Sequence, residues 1–435
     1  MPYQMPALVC RSVLSVTLLG LLSCIATAQG LPRAQSPEEV GLSSQRLQRL
    51  SAAFKAEIDK GIMPGAVLLV ARRGKVAYYE ALGVRDPQVS GAMPLDAVFR
   101  LASMTKPLVS VATMMLVEEG RLALTDPVSR YLPEFKGVQV GVEQKDAAGQ
   151  ARLTLEPAKR EMTLHDLMRH TAGLTYGQFG EKTLVKREYD KAEIGSLELT
   201  TPEFITRLSK LPLAHQPGAV WDYSVATDVL GRVLEVIHGQ DLDTILRERI
   251  SKPLGLRDAG FWVPPAHHAR IAEPFVDKAT GKRLLPRDVS VPPKRFGGGG
   301  GMVASAADYV RFCQMLLNGG VLDGVRLLSK NTVALMTANH LPENIAYTTP
   351  FYLHGPAVPS PSAGQGWGLG FVVRTEQGNN ALHGSVGEYY WNGASGTAFW
   401  IDPKEQLIVV MMVQAPMQQR LRALMRSLVH QAIVN

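Results

Sequence analysis

Strand-like patterns occur near both ends of this 435-residue chain, and helix-like patterns fill the region between them. Apolar runs at residues 66–71 and 76–79 flank a short turn that contains glycine, which predicts a β-hairpin. Further strand patterns come at 367–374, 396–401 and 407–413. Because strands must bury their apolar faces against one another and against helices, the sequence predicts an α+β fold. We expect an antiparallel sheet from both chain ends, flanked by helices, plus a mostly helical domain.

The predicted boundaries divide the chain into two parts. The α/β part takes about residues 29–102 and 296–435, and the mostly helical part takes about 103–295. Helical spacing predicts one helix over 36–60, before the first strand, and a closing amphipathic helix over 416–433.

The sequence pattern does not predict helix in two segments of the mostly helical part, or in one stretch just after that part. Residues 136–160 are charged and weakly alternating, which predicts an exposed hairpin or loop. Residues 175–198 are interpreted as a polar surface insertion. Residues 297–301 are five consecutive glycines, which indicate a flexible turn or a close backbone approach.

Residues 1–28 have the layout of a secretory signal peptide. A basic Arg11 precedes an apolar run at 12–25 that is too short to span a bilayer, and small residues at 26–28 suit a signal peptidase. The alternative is a lipoprotein signal, which would leave Cys24 as a lipid anchor. Either form predicts an exported protein, periplasmic or secreted, with no stable membrane insertion after the signal is removed.

Composition excludes several other classes. The net charge is +7, but the basic residues are scattered singly, so we expect no nucleic-acid partner. Cys313 is the only cysteine outside the predicted signal, and its helical pattern indicates a buried thiol. His267 and His268 are adjacent in a loop, which is typical of a surface. We expect no metal and no organic cofactor, and nothing in the sequence indicates an oligomeric state.

The sequence Ser103-Met104-Thr105-Lys106 is the only Ser-x-x-Lys in the chain, and a helix-like run to Glu119 follows it. Residues three apart on a helix share one face, so the Lys106 amine can reach the Ser103 hydroxyl. A serine nucleophile needs a base and oxyanion donors, and a helix start favours developing negative charge. The competing interpretation is a serine N-cap followed by a surface lysine.

Other ways of activating a serine fit less well. No serine has glycine both two residues before and two residues after it, which excludes the Gly-x-Ser-x-Gly nucleophile elbow. A Ser-His-Asp arrangement stays open because His165, His170 and His383 are present, although no motif marks them.

The residues around Ser103 resemble the first motif of serine β-lactamases and penicillin-binding proteins. They are most similar to class C β-lactamases and to the family VIII carboxylesterases that share their fold. Similar segments follow in the family's order at 124–127, 162–174, 217–224 and 300–320. The resemblance runs from about residue 36 to the C-terminus, and it implies a β-lactamase-like fold with an acyl-Ser103 intermediate.

The second motif of that group is Tyr-x-Asn. Tyr223-Ser224-Val225 keeps the tyrosine and departs from the motif at Val225. By resemblance, Tyr223 acts with Lys106 as general base and later as proton donor; taken alone, a tyrosine beside Trp221 would equally be core packing. A tyrosine acts as a base only where a cation stabilises its phenolate, and Lys106 is the expected cation.

The third motif of the group is Lys-Thr-Gly on the strand at the edge of the site. Trp391-Asn392-Gly393 resembles the Trp-x-Gly form of the esterase branch, and His383-Gly384-Ser385 is the alternative match. By the first match, the backbone N–H groups of Ser103 and Ala394 form the oxyanion hole.

The departures from the motifs bear on the substrate. A motif lysine would attract a carboxylate and a motif asparagine would bind an acylamino group, whereas Trp391 and Val225 make an apolar, uncharged wall. We therefore expect a carboxylesterase for neutral short- or medium-chain esters, with a small-molecule ester as partner. The alternatives are a β-lactamase, a D-amino-acid peptidase or amide hydrolase, an acyltransferase, and a slowly deacylating penicillin-binding or sensor protein.

Overall fold

A computed structural model of the chain describes residues 1–2, 30–177, 179, 181–285, 287–348, 359–416 and 419–435. The predicted signal sequence, including Cys24, lies outside the described residues except for its first two positions. Every helix in the described part is too short or too polar to cross a bilayer.

Sixteen strands and ten α-helices are found in the described residues. The strands are β1 (Gly65–Arg72), β2 (Lys75–Asp86), β3 (Val89–Ala92), β4 (Phe99–Arg100), β5 (Gln139–Lys145), β6 (Ala151–Pro157), β7 (Val220–Trp221), β8 (Val303–Ala304), β9 (Val321–Leu322), β10 (Val325–Arg326), β11 (Ala346–Tyr347), β12 (Gln365–Trp367), β13 (Val372–Arg374), β14 (Tyr389–Asn392), β15 (Ala398–Asp402) and β16 (Leu407–Val413). The helices are α1 (Ser44–Asp59), α2 (Lys106–Glu118), α3 (Leu164–Met168), α4 (Leu184–Lys191), α5 (Thr201–Leu208), α6 (Ala226–His238), α7 (Leu242–Leu246), α8 (Ala306–Leu317), α9 (Lys330–Met336) and α10 (Gln419–His430).

The main sheet joins the two ends of the chain. Its eight strands run in the order β12-β13-β14-β15-β16-β1-β2-β3, and every neighbouring pair is antiparallel. In the centre, Leu69 of β1 lies opposite Val410 of β16 and Tyr79 of β2. All residues of β1 and β16 are buried, because helices cover both faces of the sheet. This is why both strands appear in the sequence as unbroken apolar runs.

The helices that cover the sheet come from distant parts of the chain. Helix α8 packs against β1, β15 and β16, and α1 packs against β2 and α10. Side-chain caps fix where several of these helices begin: Ser43 accepts a hydrogen bond from the Arg46 N–H, and Ser305 accepts one from the Asp308 N–H. The terminal helices and the terminal strands therefore form one packed layer structure.

A second, short pairing positions the turn that holds Ser103. Strand β4 pairs with β8, so the chain after residue 100 runs beside the chain before residue 303. The Leu101 N–H donates to the Met302 carbonyl at 2.9 Å, and the Met302 N–H donates to Thr105 Oγ1 at 3.0 Å. The glycine run at 297–301 is thereby held against residues 102–105.

The predicted architecture is confirmed: both chain ends build one antiparallel sheet, and helices flank it. The charged segment 136–160 forms the hairpin β5–β6. Helix α7 ends at Leu246 and continues as a π-helical turn over Arg247–Ser251. The division of the chain at residues 102/103 and 295/296 stays a prediction.

Candidate active site

Ser103 lies in a tight turn between β4 and α2. The turn is a 3-10 helix over Ala102–Thr105, and Ala102 has a φ of +46°, in the left-handed region that L-residues rarely adopt. The Thr397 hydroxyl donates a hydrogen bond to the Leu101 carbonyl at 2.9 Å and so holds the turn from the sheet. Such strain persists only where the surroundings fix the backbone. Ser103 is therefore presented by a rigid turn, one residue after the strained position.

Lys106, one turn beyond Ser103, is fully buried. Its Nζ atom lies 3.3 Å from Ser103 Oγ and 3.3 Å from the Tyr176 hydroxyl, and it donates to the Gly299 carbonyl at 2.6 Å. Burial lowers the pKa of Lys106 to about 7, although the Asp228 carboxylate acts in the opposite direction. A large fraction of this amine is therefore neutral near pH 7 and can accept a proton.

Tyr223 contacts both Ser103 and the edge of the main sheet. Its hydroxyl is hydrogen-bonded to the Ser103 side chain, and Trp391 Nε1 donates to it at 3.2 Å. Burial raises the pKa of Tyr223, and these two hydrogen bonds only partly oppose that effect. Lys106 Nζ lies over the ring face, 4.6 Å from its centroid. The environment therefore favours a neutral phenol at Tyr223 and places the basic group at Lys106.

A second tyrosine, Tyr176, reaches the same amine. It belongs to segment 175–198, which the sequence pattern assigned to a polar surface insertion, yet its hydroxyl lies 3.3 Å from Lys106 Nζ. Its ring centroid is 5.6 Å from that of Tyr223, and burial raises the pKa of Tyr176 well above its usual value. Tyr176 is partly buried and lines the site, a position that the interpretation of segment 175–198 as a surface insertion did not indicate. The available signal was its position directly after the family-like segment 162–174.

The glycine run makes the close backbone approach that was one of its two predicted roles. The Gly299 N–H donates to Asp228 Oδ1 at 3.1 Å, while the Gly299 carbonyl accepts from Lys106. A Cβ atom at Gly299 would lie 2.2 Å from Asp228 Oδ2, and one at Gly301 would lie 2.7 Å from the Gly297 carbonyl oxygen. Only glycine fits at these two positions without a shift. Asp228 therefore holds the backbone that holds Lys106, a link that the sequence did not reveal.

Trp391 and Asn392 end strand β14, and both are buried. The Trp391 ring packs edge-on against Trp367, with centroids 4.7 Å apart, and its N–H group is the donor to Tyr223. The sequence suggested an apolar wall for substrate at Trp391. In the structure its indole N–H makes a polar contact with the Tyr223 hydroxyl, and its role towards substrate stays a prediction.

Gly393 and Ala394 follow β14 and lie against the turn of Ser103. The Gly393 N–H donates to the Thr397 carbonyl at 2.8 Å, and a Cβ atom at Gly393 would lie 2.2 Å from the Leu101 carbonyl oxygen. Ala394 is exposed. The alternative match, 383–385, precedes β14 and so lies at its opposite end, where the Ser385 N–H donates to Asp402 Oδ2 at 3.1 Å. The end of β14 near Ser103 is thus the one formed by Trp391–Gly393.

The three histidines considered for a Ser-His-Asp arrangement make other contacts. His170 Nδ1 lies 3.3 Å from Ser224 Oγ, and its ring packs against Tyr223 with centroids 4.7 Å apart. Burial lowers the pKa of His170 well below its usual value, so it is neutral. The other two pair with histidines: His165 with His340 at 3.0 Å, and His383 with His430 at 5.6 Å between ring centroids.

Cys313, His267 and His268 take no part in this site. Cys313 is buried within α8, and burial raises the pKa of its thiol. His267 and His268 lie in a 3-10 turn over Pro265–Arg270 that has no buried residue. Within the described ranges, no three His, Cys, Asp or Glu side chains are grouped so that they could hold a metal ion.

A cleft of about 1030 Å³ opens beside Ser103. Val225, which stands where the related motif has asparagine, lines it. So do Leu197 and Val291, which are 53% and 52% exposed and give the cleft apolar surface open to solvent. Charged side chains of both signs line other parts of the cleft: Asp190, Glu193, Glu198, Asp228, Arg287, Asp288, Lys294 and Arg295. The cleft has room for a substrate larger than a short ester, next to a serine with a basic amine in contact.

Comparison with known proteins places these features in a family. The family model described as Beta-lactamase matches residues 50–432. Protein Rv1367c of Mycobacterium tuberculosis is 36% identical, covering 83% of this chain and 88% of that protein. Esterase EstB of Burkholderia gladioli is 31% identical, covering 84% of this chain and 89% of EstB. The structure of EstCE1, described as a hydrolase with promiscuous acyltransferase activity, superposes with a TM-score of 0.67 at 26% identity, covering 88% of this chain and 98% of EstCE1.

Proposed function

The chain belongs to the β-lactamase family, and on that premise we propose that it is a serine carboxylesterase acting on neutral short- and medium-chain esters. The observation that carries the proposal is the contact between Ser103 Oγ and a buried Lys106 whose pKa lies at about 7. The similarity to EstB and EstCE1, an esterase and a hydrolase by name, supports the same activity.

Acylation follows from the contacts around Ser103. Neutral Lys106 takes the proton of the Ser103 hydroxyl as Oγ attacks the ester carbonyl carbon. The N–H groups of Ser103 and Ala394 stabilise the oxyanion that forms. Tyr223 gives its phenolic proton to the departing alcohol oxygen and recovers one from the Lys106 ammonium. These steps leave an acyl-Ser103 ester, a neutral lysine and a free alcohol.

Deacylation uses the same groups with water in place of serine. Neutral Lys106 takes a proton from the attacking water; Tyr223 then gives its phenolic proton to Ser103 Oγ as the acyl group leaves as a carboxylic acid, and Tyr223 recovers a proton from the Lys106 ammonium. Tyr176 lies close enough to Lys106 to orient its amine in both steps. The role proposed for Tyr176 is positioning, because its contact is with Lys106.

The preference for neutral esters is supported by the residues that stand at the second and third motif positions. Val225 removes the amide that would bind an acylamino side chain, and Trp391 replaces the lysine that would attract a carboxylate. A site that lacks such partners discriminates poorly in favour of charged substrates. The exposed apolar side chains Leu197 and Val291 provide surface for an acyl chain or an alcohol.

Acyl transfer to an alcohol other than water is the second candidate. The volume of the cleft, about 1030 Å³, favours it, because an acyl donor and an acceptor could occupy the site in turn. EstCE1 carries acyltransferase activity in its description. Both activities share the acyl-Ser103 intermediate and differ only in the nucleophile that resolves it.

Initial rates on p-nitrophenyl butyrate and on nitrocefin test the substrate class. We expect turnover of the ester to exceed that of the β-lactam. Faster hydrolysis of nitrocefin would contradict the proposal and favour a β-lactamase. A burst of one equivalent of p-nitrophenol without steady turnover would instead indicate a slowly deacylating sensor. Adding a primary alcohol and measuring the new ester separates acyl transfer from hydrolysis.

Export is proposed on the signal-like sequence alone, with residues 1–28 removed. The mass of the mature protein recovered from an expressing bacterium checks it. Loss of residues 1–28 is the expected result, and a lipidated N-terminus at Cys24 would establish the lipoprotein alternative.

A further inference from the structure

Arg422 lies behind the peptide bond that joins Gly393 to Ala394. It belongs to α10, and its Nη2 atom donates a hydrogen bond to the Gly393 carbonyl at 2.8 Å. The Gly396 N–H donates to the same carbonyl at 3.0 Å. The carbonyl of Gly393 and the N–H of Ala394 are the two ends of one peptide group, so Arg422 contacts the group that supplies the proposed oxyanion donor.

This guanidinium differs from its neighbour on the same helix. Arg426, one turn later, is paired with the buried Glu388 carboxylate at 2.7 Å and 2.9 Å. For Arg422, in contrast, Nε and Nη1 are buried and meet no hydrogen-bond partner among the described residues. Its pKa is lowered by burial to about 10, which leaves it charged at neutral pH. A partly buried cation with two buried nitrogens that lack partners among the described residues is costly for folding, which favours a functional reason for it.

Hydrogen bonds other than that of Arg422 also hold this peptide in place. The Gly393 N–H is held by the Thr397 carbonyl at 2.8 Å, and the Ser395 hydroxyl donates to the Arg100 carbonyl at 2.6 Å. Both bonds tie the segment to its surroundings on either side of Ala394. The bond from Arg422 therefore adds polarisation to a peptide whose geometry is already fixed.

Peptide resonance transmits that polarisation. The C–N bond has partial double-bond character, so a charged donor on the oxygen draws electron density from the nitrogen and makes its N–H more positive. Hydrogen bonds that share a polarisable group strengthen one another, and charge-assisted bonds do so most. An oxyanion bound at the N–H of Ala394 would feel the charge of Arg422 through one peptide group.

We propose that Arg422 is a positioning residue that polarises the Gly393–Ala394 peptide and thereby strengthens the Ala394 N–H as an oxyanion donor. The proposal rests on the proposed function, which assigns Ala394 to the oxyanion hole. It predicts stabilisation of the transition state more than of the bound substrate, because the negative charge develops only as the carbonyl is attacked.

The test uses Arg422→Met, which keeps a chain that fills the space without the charge. Loss of a complete oxyanion donor costs about 10²–10³-fold in kcat. Because the Ala394 N–H remains, we expect about a tenfold fall in kcat on p-nitrophenyl butyrate, with KM changed by less than about twofold. The rate of inactivation by a fluorophosphonate should fall by a similar factor, since its phosphoryl oxygen occupies the same hole.

Two further variants separate polarisation from structure. Arg422→Lys should recover part of kcat, and ethylguanidinium should restore part of the activity of Arg422→Ala. The matched control is Arg420→Met, which removes a cation from the same helix where it contacts Glu57. We expect it to leave kcat within about twofold of the wild type.

Wild-type kcat in folded Arg422→Met would overturn the inference. The inference would also be overturned if kcat were no higher in Arg422→Lys than in Arg422→Met and ethylguanidinium did not raise the activity of Arg422→Ala. An equal loss of kcat in Arg420→Met and Arg422→Met would overturn it as well. If Arg422→Met fails to fold, Arg422→Lys against the wild type decides, with an unchanged kcat and inactivation rate counting against the proposal. A wild-type enzyme that forms no fluorophosphonate adduct at Ser103 would overturn the proposed function itself. An adduct that forms at equal rates in the wild type and Arg422→Met overturns only the role of Arg422.

Discussion

The two groups of residues around Ser103, a helical side and a sheet side, differ in the chemical groups that they contribute. The helical side, made of Ser103, Lys106, Tyr176, Tyr223 and Asp228, brings together side chains that can hold or move a proton. The sheet side, residues 391–394, brings a backbone segment and one indole N–H. In the proposed function, the helical side activates the nucleophile, and the sheet side stabilises the negative charge that the reaction creates.

The energetic demands on the two sides differ as well. Burying Lys106 without a carboxylate in contact is unfavourable for its charged form, and this lowers its pKa. Residues 391–394 of the sheet side contain no titrating side chain. Substitutions among them should therefore change the strength of hydrogen bonds in the site rather than the protonation state of a catalytic group. Substitutions on the helical side should therefore have the larger effects on rate.

Replacing Lys106 should have the largest effect. Lys106→Met removes the proposed general base, and we expect kcat/KM to fall by about 10³-fold, within the range of general-base contributions. Lys106→Arg keeps a cation that cannot lose its proton, so it should be as inactive as Lys106→Met. Initial rates on p-nitrophenyl butyrate measure both, and substantial activity in the arginine variant would show that charge rather than basicity matters.

The two tyrosines provide the next comparison. Tyr223→Phe removes a hydroxyl bonded to Ser103, and we expect a loss of about 10²-fold in kcat. Tyr176→Phe removes a contact with Lys106 alone, and about a tenfold loss is expected. Each variant is the control for the other, since both remove one tyrosine hydroxyl from the surroundings of Ser103 and Lys106 and keep the aromatic ring. Equal losses would contradict the assignment of proton transfer to Tyr223.

The pH dependence should identify Lys106 as the base. Because the amine must be neutral to accept a proton, kcat/KM should rise with pH through the pKa of about 7 and then level off. Asp228 favours the charged amine, so Asp228→Asn should lower that pKa and move the midpoint of the rise to lower pH. The asparagine oxygen can still accept from the Gly299 N–H, which preserves the backbone contact. A midpoint that moves to higher pH, or stays, would contradict this electrostatic link.

The smallest effect is expected on the sheet side. Trp391→Phe removes the N–H donor to Tyr223 and keeps an aromatic ring, so we expect a loss of about threefold to tenfold in kcat. The matched control is Trp221→Phe in the same aromatic cluster, because the Trp221 indole N–H meets no partner among the described residues. Its kcat should stay within about twofold of the wild type. Equal losses in the two variants would assign the effect to packing rather than to the hydrogen bond.

Local features of the helical side could be predicted from the sequence. The spacing of Ser103 and Lys106 predicts that the two side chains lie close together within one helical turn. The run of five glycines indicates a close approach of the backbone to another part of the chain, although the sequence does not show which part. Tyr223 could be identified because its segment resembles the second motif of the β-lactamase family and comes after the first motif in the family's order. The sheet at the two chain ends was likewise predictable, because β1 and β16 are continuous apolar runs.

Contacts made by distant segments could not be predicted in the same way. Tyr176 comes from a polar segment whose composition indicates a surface, and only tertiary packing buries its hydroxyl beside Lys106. The hydrogen bond from the Trp391 indole N–H to the Tyr223 hydroxyl could not be predicted either, because the two residues are 168 positions apart in the sequence. Arg422 is 29 residues beyond the carbonyl that it contacts, on a helix whose pattern suggests only packing.

The assignment of Ser103 as the nucleophile is tested most directly by the intact mass of the protein after reaction with a fluorophosphonate, measured on the wild type and on Ser103→Ala. We expect one covalent adduct on the wild type, located at Ser103 by peptide mapping, and none on Ser103→Ala. An adduct of equal yield on the alanine variant would contradict it, because the nucleophile would then be another residue.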